Sequence, residues 1–375
     1  MPKRVILTGH AGFIGSHCVE YFLENTDWEI IGIDSFRHKG TYCRLNDAVD
    51  SYKQKCCKLK RTKQIRSCRE SLKALNEIDA RLKVYYHDLI APIDPQLENQ
   101  ILERRFDYGQ IVEKPIDYII NMASDSAVER STTDPVHCLR NNYELSINML
   151  EFARKIKPKI FFQVSTDEVY GEAKPNQAHH EWDVIMPSNP YAASKAAQEA
   201  MAIAYWRTYD VPVVITNTMN NFGEWQDPEK FLPKIIQKIM LDEEMPVYAD
   251  FNEDGTTSIG ARYYLHAKNH ADAFVFLSQF TPAMYKEGAA RPDRYNVCGD
   301  VELNNLELAQ MVAKFMGKEL KYKLVPSESA RKGYDRRYAL DDAKMKGLGW
   351  KIPIPFEDSI NQVVKWTLDN PHWAV

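Results

Sequence analysis

The chain has 375 residues, 44% hydrophobic and 27% charged, a balance that excludes long disorder and suits a core large enough for two lobes. Its 48 basic and 52 acidic residues leave a net charge of −4, which gives no overall pull toward nucleic acid or anionic membrane. It lacks any run of about eighteen apolar residues, as a spanning helix needs, and its seven cysteines, an odd number, do not read as a disulfide framework. Met1-Pro2-Lys3-Arg4 runs straight into Val5-Ile6-Leu7, an apolar stretch too short for a signal-peptide core. The expectation is a reduced, cytoplasmic protein with no bound metal and no membrane contact.

Residues 5–8 read as a short apolar strand, followed by a glycine turn, an apolar-periodic helix over 16–24 and a second strand over 28–34. Residues 117–122 and 159–165 read as buried strands with a helix near 145–155 between them, and 211–216 is another β-branched run. Strands alternating with helices predict a doubly wound parallel α/β sheet occupying residues 1–219. From about residue 220 prolines and aromatics become frequent and elements shorter. That change predicts a smaller mixed α/β lobe over 220–375, with some segments returning to the sheet.

One stretch departs from the alternation. From Lys53 to Lys83 there are eleven Lys and Arg against three acids, Glu70, Glu77 and Asp79, while Leu72, Leu75 and Ile78 fall at helical spacing. A charged surface helix inserted over about 42–83 is the expectation. A nucleic-acid or partner contact is the sharper alternative, weakened by the lack of interleaved aromatics. Cys56, Cys57 and Cys68 lack zinc-ligand spacing and are expected to be free thiols.

Gly9-His10-Ala11-Gly12-Phe13-Ile14-Gly15 follows a strand and opens a helix, the context a dinucleotide loop requires. Without Cβ atoms the backbone can turn tightly and meet a pyrophosphate at the helix N-terminus. Asp34 closes the second strand, where a carboxylate accepts from the adenosine ribose and repels a 2′-phosphate, which favours NAD over NADP. Asp88-Leu89, at the end of the next strand, can meet the adenine. The first domain is therefore expected to be a Rossmann-type NAD-binding unit.

Tyr191-Ala192-Ala193-Ser194-Lys195 opens a helix after Asn189-Pro190, and the i,i+4 spacing puts phenol and ammonium on one face. A nearby cation favours the phenolate, so Tyr191 is expected to act as a general base. Upstream, Thr166-Asp167-Glu168 stands at the C-terminal end of a strand, where open α/β sheets bind ligands. Like charges in a confined site split their proton affinities, leaving one carboxyl as acid and the other as base. Elimination of water needs such a pair.

In the order GHAGFIG, STDEVYG, YAASK the chain resembles the extended short-chain dehydrogenase/reductase family, and more narrowly the nucleotide-sugar 4,6-dehydratases of the dTDP-glucose 4,6-dehydratase type. Asn220-Asn221-Phe222-Gly223 with Pro228-Glu229-Lys230 resembles its NNYG…PEK segment, and Arg262-Tyr263-Tyr264-Leu265 its RDWL segment. Tyr295-Asn296-Val297 and the run from Arg331 to Tyr338 resemble its late nucleotide-binding segments. The resemblance implies that Tyr191 takes the C4 hydroxyl proton of an NDP-hexose, dTDP-glucose first, while hydride moves to NAD. Lys195 would lower the Tyr191 pKa and hold the nicotinamide ribose, and Thr166 would bond near the reacting hydroxyl. Glu168 would then abstract the C5 proton, Asp167 would protonate the departing C6 hydroxyl, and hydride would return to C6. For the cofactor it implies Gly9, Gly12, Phe13, Ile14, Gly15, Asp34, Asp88, Leu89, Ala123, Asn142, Tyr191 and Lys195. For the sugar nucleotide it implies Asn221, Glu229, Lys230, Arg262, Asn296, Arg331 and Tyr334, and it implies a homodimer through helices near 142–155 and 191–207.

The basic insertion, Ala127 and Tyr334 depart from the usual family pattern, the last two standing where a histidine is common. A nucleotide-sugar epimerase or decarboxylase would use the glycine loop, Tyr191 and Lys195 without needing Asp167 and Glu168. A dinucleotide sensor or RNA-binding module would need neither pair.

Overall fold

The computed structural model describes residues 2–61, 80–327, 333 and 335–374, with helix residues 56–61 described by their backbone only. A seven-stranded sheet runs through the first domain. Its strands are β1 (Arg4–Thr8), β2 (Glu29–Asp34), β3 (Leu82–Tyr86), then, past a small hairpin of β4 (Arg105–Asp107) and β5 (Gln110–Val112), β6 (Tyr118–Asn121), β7 (Ile160–Thr166), β8 (Val213–Thr218) and, much later, β13 (Asp293–Val297). The order is β13-β8-β7-β6-β1-β2-β3, and every adjacent pair is parallel. The chain winds outward from β1 in both directions, so the switch point, and the crevice it opens, lies between β1 and β6.

Both faces are covered, which explains the near-continuous apolar strands. Val5, Leu7, Ile30, Ile120, Phe162 and Val214 face helices α1 (Phe13–Asn25) and, from the second lobe, residues Ala271, Phe274 and Leu277. The alternate residues Ile6, Ile31, Ile119, Phe161 and Val213 face Leu145, Met149, Phe152, Ala202 and Trp206. Those belong to two long helices, Pro135–Ile156 and Pro190–Tyr209, each capped by a side chain (Asp134 and Asn189) and carrying proline in its first turn.

The second lobe packs its own core around Phe222, Leu232, Ile236, Val247, Tyr264, Leu308, Val312, Phe356 and Val363. It holds two three-stranded sheets, of β11 (Thr257–Ile259), β10 (Met245–Phe251) and β15 (Tyr322–Pro326), and of β14 (Glu302–Asn304), β12 (Ala261–His266) and β9 (Asn220–Phe222). Parallel and antiparallel pairs occur in both. The lobe sends β13 back to the edge of the large sheet, tied there by a buried ion pair of Arg294 with Glu199.

The basic stretch begins as helix α2 (Tyr42–Arg61), but Leu82 and Lys83 belong to β3, so the insertion ends before them. Residues 62–79, with Leu72, Leu75, Ile78 and Cys68, and the side chains of Cys56 and Cys57 lie outside the described residues. The four basic residues of the run with described side chains all bond within this protein. Lys53 pairs with Asp50 and Lys55 with Glu20 and Glu24; Lys83 pairs with Glu29 and Glu103. Arg81 donates to the carbonyls of Phe22, Leu23 and Thr26 at the C-terminal end of α1, where a cation suits the helix dipole. The four described cysteines, Cys18, Cys43, Cys138 and Cys298, are free, and no helix among the described residues is long and apolar enough to cross a membrane.

Candidate active site

The glycine turn sits at the carboxyl end of β1. Gly9 has φ +71°, which favours glycine, and a Cβ there would meet the Ala123 backbone at 3.1 Å. A Cβ on Gly15 would lie 2.1 Å from the Gly9 carbonyl oxygen, so α1 starts against the turn. Gly12 is its N-cap and provides no side-chain cap, which leaves the first-turn amides of Phe13, Ile14 and Gly15 to an external acceptor. Asp34 stands beside them, accepting from Ala11 N at 3.2 Å and Phe36 N at 2.8 Å. Asp88 pairs with Arg37 at 3.3 Å, and Leu89 is buried under the sheet. These residues form a cradle that suits a dinucleotide pyrophosphate and ribose.

Asn142, expected among the cofactor residues, is buried and bonded within the protein. Its amide accepts from Asp125 N at 2.7 Å and donates to Asp125 O and to Ser194 Oγ at 2.8 Å. It thus staples the loop after β6 to the Tyr191 helix from behind.

β7 ends at Thr166 and turns through one 3-10 turn, Asp167–Tyr170. Thr166 Oγ1 donates to Asp167 Oδ1 at 2.9 Å and accepts from Glu168 N. Asp167 is 3% exposed, and its Oδ2 has no hydrogen-bond partner among the described residues. Burial, then the neighbouring Glu168 charge, push its carboxyl up to about 7, with the Thr166 hydroxyl and Arg262 pulling the other way. Glu168 accepts instead from Asn189 Nδ2 at 2.9 Å.

Tyr191 lies within the field of both carboxylates. Burial first, then Glu168 and Asp167, push its phenol above the ordinary tyrosine value. The phenol is thus raised where a lowering by Lys195 was expected. Lys195 Nζ turns into the sheet, donating to Val164 O at 2.6 Å and Gln198 Oε1 at 2.8 Å, and burial pushes it down to about 7. Gln198, missed in the sequence, ends a line of neutral amides running through Gln163 to Asn121. Spacing gave no signal for it, because these contacts join three separate elements.

The residues expected to hold substrate are spread more widely. Arg262 is buried and stacks 4.5 Å over the Tyr338 ring, with its guanidinium donating to the carbonyls of Asp335 and Arg336. Asn296 donates to His179 O and Asp341 O, binding two loops together. Asn221 donates to Met219 O and faces His270. These three spend polar atoms on the protein. Glu229 sits at the rim, paired with Lys39 at 2.9 Å, and Lys230 is the N-cap of helix Phe231–Met240. Arg331 and Tyr334 lie outside the described residues.

Among the described residues, two clusters with metal-ligand chemistry went unread in the sequence, His17–Glu224–His266 and His38–Asp125–His137. In the first, Glu224 Oε2 lies 3.3 Å from His17 Nε2 and 3.2 Å from His266 Nε2, all three buried. His266 Nδ1 accepts from Lys268 N, which puts its proton on the Nε2 that faces Glu224. In the second, Arg130 already occupies Asp125 at 2.5 Å.

Residues 5–298 match the sequence pattern of the NAD dependent epimerase/dehydratase family. The chain belongs to that family. The low-salt glycan biosynthesis protein Agl12 of Haloferax volcanii is 30% identical over 97% of this chain and 98% of its own. A probable dTDP-glucose 4,6-dehydratase of Sinorhizobium fredii is 31% identical over 99% of this chain and 94% of its own. The crystal structure of DesIV, a dTDP-glucose 4,6-dehydratase from Streptomyces venezuelae with NAD bound, matches with a TM-score of 0.75 at 27% identity, covering 99% of this chain and 98% of that one. The family is NAD-dependent, in agreement with the cofactor expected from the glycine loop and Asp34, and the Rossmann-type sheet and the dehydratase resemblance are borne out at the level of family and fold.

Proposed function

We propose that this enzyme is a nucleotide-sugar 4,6-dehydratase, converting an NDP-hexose, dTDP-glucose first among them, to the NDP-4-keto-6-deoxyhexose and water. The observation that carries the reading is the Asp167–Glu168 pair. One carboxyl is buried and raised to about 7, and its neighbour is held by an amide donor. An epimerase or decarboxylase of the same family has no need of that pair.

Tyr191 takes the C4 hydroxyl proton, Glu168 takes the C5 proton made acidic by the new ketone, and Asp167 protonates the C6 hydroxyl as it leaves. Thr166 holds the Asp167 carboxyl in place. NAD, when bound, would supply the acceptor for the C4 hydride and the donor of the same hydride to C6; Glu168, after exchange with solvent, gives a proton back to C5, so the overall reaction is redox-neutral. The amides of Gly9, Gly12, Phe13, Ile14 and Gly15 would hold its pyrophosphate and Asp34 its ribose, with Asp88, Leu89 and Ala123 lining the cradle and Lys195 releasing Val164 O or Gln198 to reach the nicotinamide ribose. Of the substrate-holding residues, Glu229 and Lys230 are reachable at the rim, whereas a phosphate must compete with three carbonyls, those of Ala261, Asp335 and Arg336, for Arg262. Asn221, Asn296, Arg331 and Tyr334 complete the proposed set by family position.

The reading includes a cytoplasmic setting, in keeping with the free described cysteines. It also includes a homodimer through the two long helices, whose outer faces expose Val136, Leu139, Tyr143 and Tyr209.

Mass spectrometry of dTDP-, UDP-, CDP- and GDP-hexoses incubated with the protein in deuterated water tests the proposal. Loss of one water with one deuterium gained at C5 supports it and identifies the nucleotide. An isomer of unchanged mass points to an epimerase, loss of carbon dioxide points to a decarboxylase, and unchanged substrate throughout with NAD supplied overturns it.

A further inference from the structure

Two carboxylates side by side need something to tell them apart. Asp167 is buried and receives the Thr166 hydroxyl, whereas Glu168 receives the side-chain amide of Asn189, 21 residues further along the chain. Asn189 is itself buried and is the N-cap of helix Pro190–Tyr209, its Oδ1 accepting from Ala192 N at 2.9 Å. That bond fixes the orientation of the amide, because Ala192 N–H needs an acceptor and the other end must then be the donor. The donor end points at Glu168 Oε2, also at 2.9 Å.

We propose that Asn189 is a positioning residue for the base, locking the Glu168 carboxylate to the start of the helix that carries Tyr191. The inference rests on the dehydratase reading above. Capping alone does not call for asparagine, since serine or aspartate supplies an acceptor as well. The amide donor is surplus to the cap and is spent on Glu168. It anchors Oε2 and leaves Oε1 to receive a proton. Because one amide joins the cap to the base, the phenol of Tyr191 and the carboxylate of Glu168 are held in one frame. The frame is clamped from the other lobe, where Gly333 fits so closely that a Cβ there would meet Ser188 O at 2.4 Å.

Asn189→Ser keeps the cap and removes the donor, and Asn189→Asp keeps the cap and sets a carboxylate against Glu168. Expected for N189S is a melting temperature close to wild type, C4 oxidation preserved in a single turnover, and deuterium incorporation at C5 slowed by about 100-fold. Expected for N189D is a further loss, with the acid side of the pH–rate profile moved to higher pH. Independently of activity, the carboxyl carbon resonance of Glu168, assigned with E168Q, should move in N189S, because its amide donor is gone. An unmoved resonance overturns the proposal, as does a parallel fall of oxidation, elimination and melting temperature in N189S. Wild-type protein that removes water from no sugar nucleotide would instead overturn the dehydratase reading, and the Glu168 resonance would still decide whether Asn189 holds that carboxylate.

Discussion

Lys195 donates to the carbonyl oxygen of Val164, 2.6 Å away and two residues before Thr166 on β7. The helix that bears the base is thereby tied to the strand that bears the acid. The bond costs something, because the ammonium is 3% exposed and its partners are neutral.

That cost predicts a pH dependence of stability. Burial pushes Lys195 from an ordinary 10.5 to about 7 in the folded protein. Between those values the unfolded chain holds a proton that the folded chain has lost, so stability rises with pH across that window. Relative to K195M, the wild type should gain on the order of 2 kcal/mol between about pH 7 and pH 9. Urea unfolding of both proteins at the two pH values checks it.

Asp167 has the opposite sign. Its carboxyl is raised from 3.8 to about 7, so the folded protein holds a proton that the unfolded chain has released, and stability falls as pH rises through that window. Asp167→Asn keeps a bond partner for the Thr166 hydroxyl and removes the charge. D167N should be more stable than wild type by a few kcal/mol at about pH 8, the difference closing toward pH 4. Thermal melts across that range measure it.

The glycine loop makes a steric prediction. A methyl group at Gly15 meets backbone, Gly9 O at 2.1 Å and His10 Cα at 2.7 Å, and neither can swing aside. G15A should weaken NAD binding at least about tenfold, since overpacking of roughly 1–3 kcal/mol must be absorbed by the turn itself. Titration calorimetry with NAD reads it directly.

Glu224 carries the fourth prediction. Burial alone would raise its carboxyl, but hydrogen bonds to His17 and His266 outweigh burial and hold it well below the usual range. Such a carboxylate stabilises above the ordinary glutamate value, and the contribution is lost as pH falls through the folded one. E224A should cost roughly 3–5 kcal/mol at neutral pH, because His17, His266 and Gln362 lose their shared partner. Equilibrium unfolding in urea gives the value.

Much of this site was legible because its chemistry lies in short spacings. Three glycines after a strand and an i,i+4 Tyr–Lys pair are local facts, and the fold places them where local rules expect. What stayed hidden joins distant segments. Asn189 meets Glu168, Gln198 meets Lys195, and His17 meets Glu224 only once the sheet and lobe have closed. The Asn-Pro step before Tyr191 did mark the start of a helix, but not that the Asn189 amide caps it and reaches the base. Residue type does not show protein-internal bonds either. Arg262, Asn296 and Asn142 read as ligand-facing side chains, and in the structure their polar atoms also satisfy carbonyls that the meeting of segments would otherwise leave bare.

In the proposed mechanism Asp167 and Glu168 remove water after C4 has been oxidised. A quenched single turnover of D167N with the accepted sugar nucleotide, trapped by borodeuteride, tests that order of events most directly. Expected is an NDP-4-ketohexose that accumulates with its C6 oxygen still attached, oxidation near the wild-type rate and water loss slower by at least about 100-fold. Water loss in D167N at the wild-type rate would contradict it.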